Sequence, residues 1–207
     1  MNAFAVHNQY FFKAAHFTFR YKRFKKFIYT ALKPGDRARE YETALQWLDD
    51  AGMIHQVSRV SPPRLPLFSY QDFSAFKLYL HDVGLLGAMA GLSSRTLLEG
   101  NELFTNFRGS MTEQYVLQQI LAHGVEPYYW TSDSGNAEVE FVVQGDLSVF
   151  PIEAKAGINT KAKSLKVYRN LFAPPFAISL AHLAETAPSF FSVLFFTPRH
   201  FLFAWFV

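Results

Sequence analysis

Two runs of alternating apolar and polar residues, separated by a polar turn, constrain the fold of this chain most strongly. The runs lie at residues 138–143 and 149–155, and the turn contains Gln144, Gly145 and Asp146. Alternation over this length is typical of half-buried strands, and the short turn predicts that the two strands pair as a hairpin. Regular alternation would turn one set of side chains to one side of the sheet, Val139, Phe141 and Val143, and another set to the opposite side, Glu138, Glu140 and Val142.

The predicted hairpin carries a group of charged residues suited to phosphodiester chemistry. Glu153 and Lys155 are two residues apart on one strand, and pairing of the strands would bring Glu140 to the same face. Two carboxylates can hold a hard cation such as Mg²⁺, and the amine can orient the attacking water or offset charge in the transition state. The alternative is an ordinary surface ion pair, which contributes roughly 0–1 kcal/mol to stability.

The same residues carry a resemblance. The spacing of Glu140 and Glu153-Ala154-Lys155 resembles the PD-(D/E)XK nuclease superfamily. More closely, about residues 25–180 resemble the family called domain of unknown function 4143. The motifs that carry this second resemblance are Y-Y-W at 128–130, A-E-V-E-F at 137–141, P-I-E-A-K-A-G at 151–157 and K-S-L-K-V-Y at 163–168.

That family usually forms the C-terminal part of bacterial and archaeal AAA-type ATPases. The resemblance implies a restriction-endonuclease-like α/β fold, in which a mixed sheet is flanked by helices. It also implies a third carboxylate, Glu113, in the helix motif F-R-G-S-M-T-E-Q-Y-V at 107–116, with a buried structural glutamate as the alternative. Glu140 stands where the family usually has aspartate, and Ala154 where it usually has valine.

The chain divides into three predicted parts. Residues 1–29 form a basic, aromatic leader with six Lys or Arg and no Asp or Glu. Residues 30–75 resemble a winged-helix segment, with a helix over 36–51 and strands over 53–60 and 67–70. Residues 76–207 form the nuclease-like domain. The acidic helix argues against DNA recognition by the winged-helix segment.

Within the third part we predict a strand over 76–80 and a short helix capped by Asp82. A long helix over 101–122 follows, with a smaller one near 93–99 before it. Further strands are predicted over 126–131 and 176–180, and a helix over 163–172. The apolar C-terminal region predicts strands over 192–196 and 201–206, which pair with the sheet or mediate self-association. Neither apolar run is long enough to span a membrane as a helix.

Composition excludes several classes of protein. The chain has no cysteine, so disulfides, thiol catalysis and Cys-based zinc sites are excluded, and a reducing cytoplasm is expected. No glycine precedes a lysine, so the G-x-x-x-x-G-K-[ST] phosphate loop is absent and we expect no ATP site. The chain would therefore not be an ATPase on its own, and it has the character of a C-terminal portion without its ATPase module.

Two functions remain open. The first is a non-catalytic regulatory or docking module, whose partner is an ATPase module or another protein. The alternative is a Mg²⁺- or Mn²⁺-dependent nuclease, in which Glu140 and Glu153 hold the metal, Glu113 assists and Lys155 positions the water. Lys161, Lys163 and Lys166 would then face a nucleic acid backbone. The substitution of glutamate at 140 and the missing ATPase favour the first.

Overall fold

The structure, a computed structural model, describes residues 26–27, 38–93, 102–155, 162–182, 191–196 and 201–204. The chain packs as two compact units, and each unit is formed by two separate segments of the chain. Unit 1 contains residues 1–57 and 75–114, and unit 2 contains residues 58–74 and 115–207. The division into parts predicted at residues 29/30 and 75/76 stays a prediction, and the leader lies almost wholly outside the described residues.

Unit 1 is built from short elements around an apolar core. Helix α1 spans Ala38–Asp50, strand β1 spans Ile54–Val60 and strand β2 spans Gln71–Leu80. Residues 58–60 of β1 and 71–74 of β2 belong to unit 2. Helix α2 spans Val83–Met89, and α3 begins at Glu102 and ends at Ala122. Apolar side chains from these elements are buried together: Ala44, Leu45, Leu48, Ile54, Val57, Leu78, Leu80 and Leu86.

The cap predicted for α2 is confirmed. Asp82 has an extended backbone, and its side chain accepts a hydrogen bond of 2.7 Å from the amide of Leu85. A carboxylate in this position satisfies one of the free N–H groups of the first helical turn. Asp82 therefore stabilises a helix end, as the sequence indicated.

Unit 2 contains a mixed sheet. Its strands are β3 (Pro127–Thr131), β4 (Glu138–Gln144), β5 (Val149–Lys155), β6 (Ala177–His182), β7 (Phe191–Phe196) and β8 (Phe201–Ala204). These six strands are neighbours in chain order, and β1 and β2 extend the sheet beyond β3 in the order β2-β1-β3. The β5–β6 pair is parallel, whereas the other pairs within β3–β8 are antiparallel.

A crossover helix produces the parallel pair. Helix α4, Lys163–Phe172, lies in the chain between β5 and β6 and packs on β4 and β5. Its buried residues Leu165 and Tyr168 join the core of unit 2, in which Trp130 meets the ring of Tyr168 edge-on at 5.2 Å. The fold is therefore a mixed α/β architecture with a sheet flanked by helices. The restriction-endonuclease and winged-helix details stay predictions.

Some local predictions were wrong. Residues 67–70, predicted as a strand, form a 3-10 turn. The strand predicted over 76–80 begins five residues earlier and spans Gln71–Leu80. The short apolar run Leu67-Phe68 is compatible with either conformation, and only Leu67 becomes buried. Helical spacing in α4 predicts that Leu171 points inward together with Leu165 and Tyr168. Leu171 is instead 60% exposed.

Helical spacing in α3 predicts a buried apolar stripe, and the observed buried face differs from it. The predicted stripe contains Phe107, Met111, Tyr115, Val116, Ile120 and Leu121. The deeply buried side chains in its described part are mostly polar: Ser110, Thr112, Glu113 and Gln114, with Val116 and Leu117. The amide of Gln114 explains part of this, because it accepts from the Leu80 N–H at 3.2 Å and donates to the Leu80 carbonyl at 2.7 Å. This pair of bonds satisfies the last residue of β2, so a polar helix face serves the backbone of a strand.

The predicted terminal strands exist, although their bounds differ slightly. Strand β7 pairs with β6 along its whole length, from Ala177 opposite Phe196 to His182 opposite Phe191. Strand β8 then pairs with β7. The alternative of pairing with the sheet is therefore confirmed. Residues 205–207 and the predicted helix near 93–99, beyond Ser93, lie outside the described residues.

Candidate functional site

Pairing of the predicted hairpin places the two candidate metal ligands of unit 2 across from each other. The β4–β5 ladder runs from Gln144 opposite Val149 to Phe141 opposite Ile152. Glu140 and Glu153 are the next residues on the two strands beyond this last pair. The hairpin therefore brings together two carboxylates that are 13 positions apart in the chain, at the point where the ladder ends.

A bulge lies at the same point. Tyr128 pairs with Val142 and Trp130 pairs with Val139, so β4 has one residue more than β3 over this interval. The extra residue falls at Glu140–Phe141. A bulge of this kind leaves one residue outside the ladder and can re-aim its side chain, and bulges are frequent beside active sites.

The bulge corrects the predicted alternation. Val139 and Val142 were expected on opposite faces, but both belong to the core cluster that contains Leu165 and Tyr168 of α4. Residues three apart share a face because the extra residue resets the alternation between them. The direction of Glu140 is consequently set by the bulge and its packing, and not by the strand period.

Glu153 is a buried carboxylate in the centre of the sheet. It is 1% exposed, and its neighbour across the parallel β5–β6 pair is the buried Ser179. One oxygen, Oε1, forms an ion pair with Nζ of Lys155. The other, Oε2, has no hydrogen-bond partner among the described residues. A buried carboxylate oxygen left in this state costs free energy, unless a cation or another donor reaches it.

Lys155 connects this buried carboxylate to solvent. Its side chain is 27% exposed, whereas that of Glu153 is 1% exposed. The i, i+2 spacing puts both side chains on one face of β5, as predicted. The sequence therefore identified the ion pair correctly, but the depth of burial of Glu153 distinguishes it from the ordinary surface pair that was the alternative.

Glu140 is also deeply buried, at 1% exposure. Glu140 and Glu153 are thus two buried carboxylates at neighbouring positions on paired strands. Such a pair destabilises a fold if both groups are ionised, because their charges repel and both lose hydration. Such an arrangement is typical of sites that bind a cation. Among the described residues, no group of three or more His, Asp or Glu side chains could hold a metal ion. A cation of the Mg²⁺ type held by two carboxylates keeps several of its waters.

The third predicted carboxylate, Glu113, belongs to unit 1. It is 3% exposed, and its Oε1 accepts hydrogen bonds from Nζ of Lys77 at 3.1 Å and from the hydroxyl of Tyr79 at 2.5 Å. This environment matches the alternative of a buried glutamate hydrogen-bonded to the sheet. Its assignment to a metal site stays a prediction.

Lys77 is the residue of this group that the sequence analysis missed. It is completely buried, and it forms an ion pair with Glu113. A lysine in an alternating strand is usually assigned to the exposed face, so the alternation of β2 did not indicate that Lys77 is buried. The signal lay in the block K-L-Y at 77–79, where the lysine and the tyrosine are two apart and so reach the same side.

The lysines that were expected to face phosphate lie partly on α4. Lys163 and Lys166 are exposed on this helix, and Arg169 is half-buried in its last turn. Lys161 lies outside the described residues. The exposed positions agree both with a phosphate-facing surface and with a solvated helix face, which were the two predicted alternatives.

Two family models match the chain, each over less than half of its length. The model of Domain of unknown function (DUF4143) matches residues 108–186, which include Glu113, Glu140, Glu153 and Lys155. The model of Domain of unknown function (DUF8612) matches residues 10–96. The resemblance predicted over about 25–180 is therefore supported for its C-terminal part, whereas the K-L-Y block at 77–79 lies among the residues that the second model matches.

Comparison with curated proteins gives no match, and comparison with solved structures gives none either. Among the residues that the structure describes, no helix has the length and apolar character that crossing a membrane would require.

Proposed function

We propose that Glu140 and Glu153 bind one divalent cation and, together with Lys155, form a phosphodiester-hydrolysing site. The observation that carries the proposal is the burial of the Glu153 carboxylate and the bonding of its two oxygens. This carboxylate is buried beside the position of a second buried carboxylate, and one of its oxygens lacks a hydrogen-bond partner among the described residues. A hard cation with oxygen ligands would supply that missing interaction.

The residues present fit Mg²⁺ or Mn²⁺. Ions of this class are bound through one or two carboxylates and retain water, so a third protein ligand is not needed. A bound cation would polarise the phosphate and lower the pKa of a water. The bulge at Glu140 supports the proposal, because it allows the longer glutamate side chain to be aimed differently from the aspartate that the resembled family usually has.

Lys155 would change partners during the reaction. In the structure its amine forms the ion pair with Glu153. When a phosphodiester binds, the amine would turn to a non-bridging phosphate oxygen, where positive charge stabilises the transition state. Water oxygen then bonds to phosphorus, the bond from phosphorus to the leaving oxygen breaks, and the leaving oxygen gains a proton. The partial exposure of Lys155 makes such a movement feasible.

One observation favours a second candidate, the non-catalytic regulatory or docking module. The ion pair between Lys155 and Glu153 already neutralises one buried charge without any cation. A domain kept only as a scaffold would need no more than this pair. The two candidates therefore differ in whether the carboxylates of unit 2 bind a metal at all.

Calorimetric titration with Mn²⁺ distinguishes the two candidates. The full chain is titrated alongside Glu140→Gln, Glu153→Gln and a control, Asp146→Asn, which removes an exposed acid from the turn of the same hairpin. We expect binding to one site in the wild type and in the control, and its loss in both glutamine variants. Absence of binding in the wild type, or binding that survives Glu153→Gln, would overturn the proposal in favour of the scaffold.

Activity is tested in parallel on single-stranded and double-stranded DNA and RNA with Mn²⁺ or Mg²⁺. Lys155→Met should abolish cleavage but keep cation binding, because the amine is not a ligand. Glu140→Asp restores the residue usual in the resembled family and should preserve binding. Glu113→Gln tests the third predicted carboxylate separately, since a loss of cation affinity in this variant would assign Glu113 to the metal.

A further inference from the structure

A pair of histidines in unit 1 lies outside the site described above. His55 is on β1 and is half-buried, and His81 directly follows β2 and is exposed. The two rings have centroids 5.8 Å apart and planes tilted by 31°. The sequence analysis gave no role to either residue, because they are 26 positions apart and only the pairing of two strands brings them together.

Backbone hydrogen bonding fixes the two histidines relative to each other. The amide of His81 donates to the carbonyl of Met53 at 2.9 Å, and Met53 immediately precedes β1. Met53 and His55 are two apart, so their side chains project on the same side of the strand. His55 and His81 are consequently diagonal neighbours, a relation in which long or aromatic side chains can touch. The flanking Ile54 and Leu80 are buried, which holds both strands in place.

The spacing of the rings is close to that of two imidazoles sharing one metal ion. At a metal–nitrogen distance of about 2.0–2.1 Å, two such rings have centroids roughly 4.5–5.5 Å apart. Rotation of the exposed His81 side chain can remove the small difference. Asp49, at the end of α1, acts electrostatically on His55 and adds negative charge near the pair.

We propose that His55 and His81 form a two-histidine site for a borderline first-row transition metal ion, such as Zn²⁺, Ni²⁺ or Cu²⁺. Imidazole nitrogen suits these ions, whereas Mg²⁺ and Ca²⁺ prefer oxygen. Among the described residues no group of three or more such ligands could hold a metal ion, so this site is proposed with two histidine ligands and open coordination positions. A site with open positions can accept a further ligand from a substrate or a partner, and it differs in chemistry from the carboxylate pair of unit 2.

The test is titration of the full chain with Ni²⁺ and Cu²⁺, read by calorimetry and by electron paramagnetic resonance of the copper complex. The variants are His55→Gln and His81→Gln, and the control is His123→Gln, which removes an exposed histidine after α3. We expect one micromolar site in the wild type, a loss of affinity of about tenfold or more in each pair variant, and little change in the control. The copper spectrum should show two nitrogen ligands in the wild type and one in each pair variant.

Three outcomes would overturn the proposal. They are binding only at millimolar metal, a spectrum with one nitrogen ligand in the wild type, and an equal loss in His123→Gln. Titration of Glu153→Gln with Ni²⁺ keeps this proposal separate from the carboxylate site, because the histidine site should bind normally in that variant. Circular dichroism of each variant establishes that a loss of affinity does not reflect unfolding.

Discussion

The two units each bury a glutamate next to a lysine, but they do so in different ways. In unit 1, Glu113 and Lys77 are both buried, and Tyr79 adds a hydrogen bond to the same carboxylate oxygen. In unit 2, Glu153 is buried but Lys155 reaches solvent. The first arrangement encloses its charges within protein. The second leaves one buried carboxylate oxygen without a hydrogen-bond partner among the described residues, and it leaves an amine that can move.

This difference teaches how to separate structural from functional charge. In a buried ion pair with further hydrogen bonds, protein groups replace the water that each charge has lost. Removal of one member therefore lowers the free energy of unfolding, because the other charge stays buried without its partner. A buried carboxylate whose lysine is partly exposed can instead exchange that lysine for a ligand. Variants that remove the equivalent lysine from each unit test whether the two ion pairs differ in this way.

The largest expected effect is in unit 1. Lys77→Met should destabilise the protein by about 3–5 kcal/mol, because Glu113 loses its buried cation. Unfolding in urea, followed by circular dichroism, measures the change. The double variant Lys77→Met, Glu113→Leu should recover much of this loss, since it removes both charges. Equal instability of the single and double variants would contradict a structural ion pair.

A smaller effect on stability is expected in unit 2 for the corresponding change. Lys155→Met should cost less than Lys77→Met, because the amine is partly exposed and water can replace it, and the proposed cation should compensate for its loss. The measurement is the free energy of unfolding with and without Mn²⁺. If Mn²⁺ fails to stabilise Lys155→Met relative to Glu153→Gln, the two units do not differ in the way described.

The next effect concerns alkaline pH. Burial raises the pKa of Tyr168 well above its ordinary value of 10.0. The folded state therefore holds this proton more tightly than the unfolded state, so stability is fully present below about pH 10 and falls as pH rises further. In Tyr168→Phe this part of the decline should disappear. Urea unfolding between pH 8 and 10.5 measures it, and parallel curves for wild type and variant would contradict the expectation.

The smallest effect concerns acid pH at the edge of the sheet. The Ser74 hydroxyl, then the guanidinium of Arg59, lower the pKa of Asp72 below its ordinary value of 3.8. Ser74 donates to its Oδ1 at 2.7 Å and Arg59 to its Oδ2 at 2.6 Å. The stabilisation is present above pH 3.8 and is lost as pH falls through the folded pKa. Asp72→Asn should flatten this acid limb slightly when the free energy of unfolding in urea is measured at decreasing pH.

Much of the fold could be predicted from local patterns. Strands β4 and β5, helix α4 and the cap at Asp82 follow from alternation, helical spacing and residue chemistry within short windows. The ion pair of Glu153 and Lys155 also lies within three residues of chain. These features depend on residues that are close together in the chain, so they can be predicted from the sequence.

Three features depended on contacts between distant residues. The bulge at Glu140 is set by how β3 and β4 pair, and the alternation of β4 alone does not reveal it. The polar inner face of α3 exists because Lys77, Tyr79 and Leu80 of β2 supply its partners. The histidine pair at His55 and His81 forms only where two strands meet.

The sequence by itself indicated where many of the strands and helices form, and it placed Glu153 and Lys155 of the hairpin two residues apart. Only the tertiary structure decided which charges are buried, because burial depends on neighbours that the chain brings from far away. A glutamate and a lysine have the same chemistry in both units. The hydration and the bonding partners of these side chains differ between the units. This difference distinguishes a carboxylate with a structural ion pair, Glu113, from the carboxylate that we propose binds a cation, Glu153.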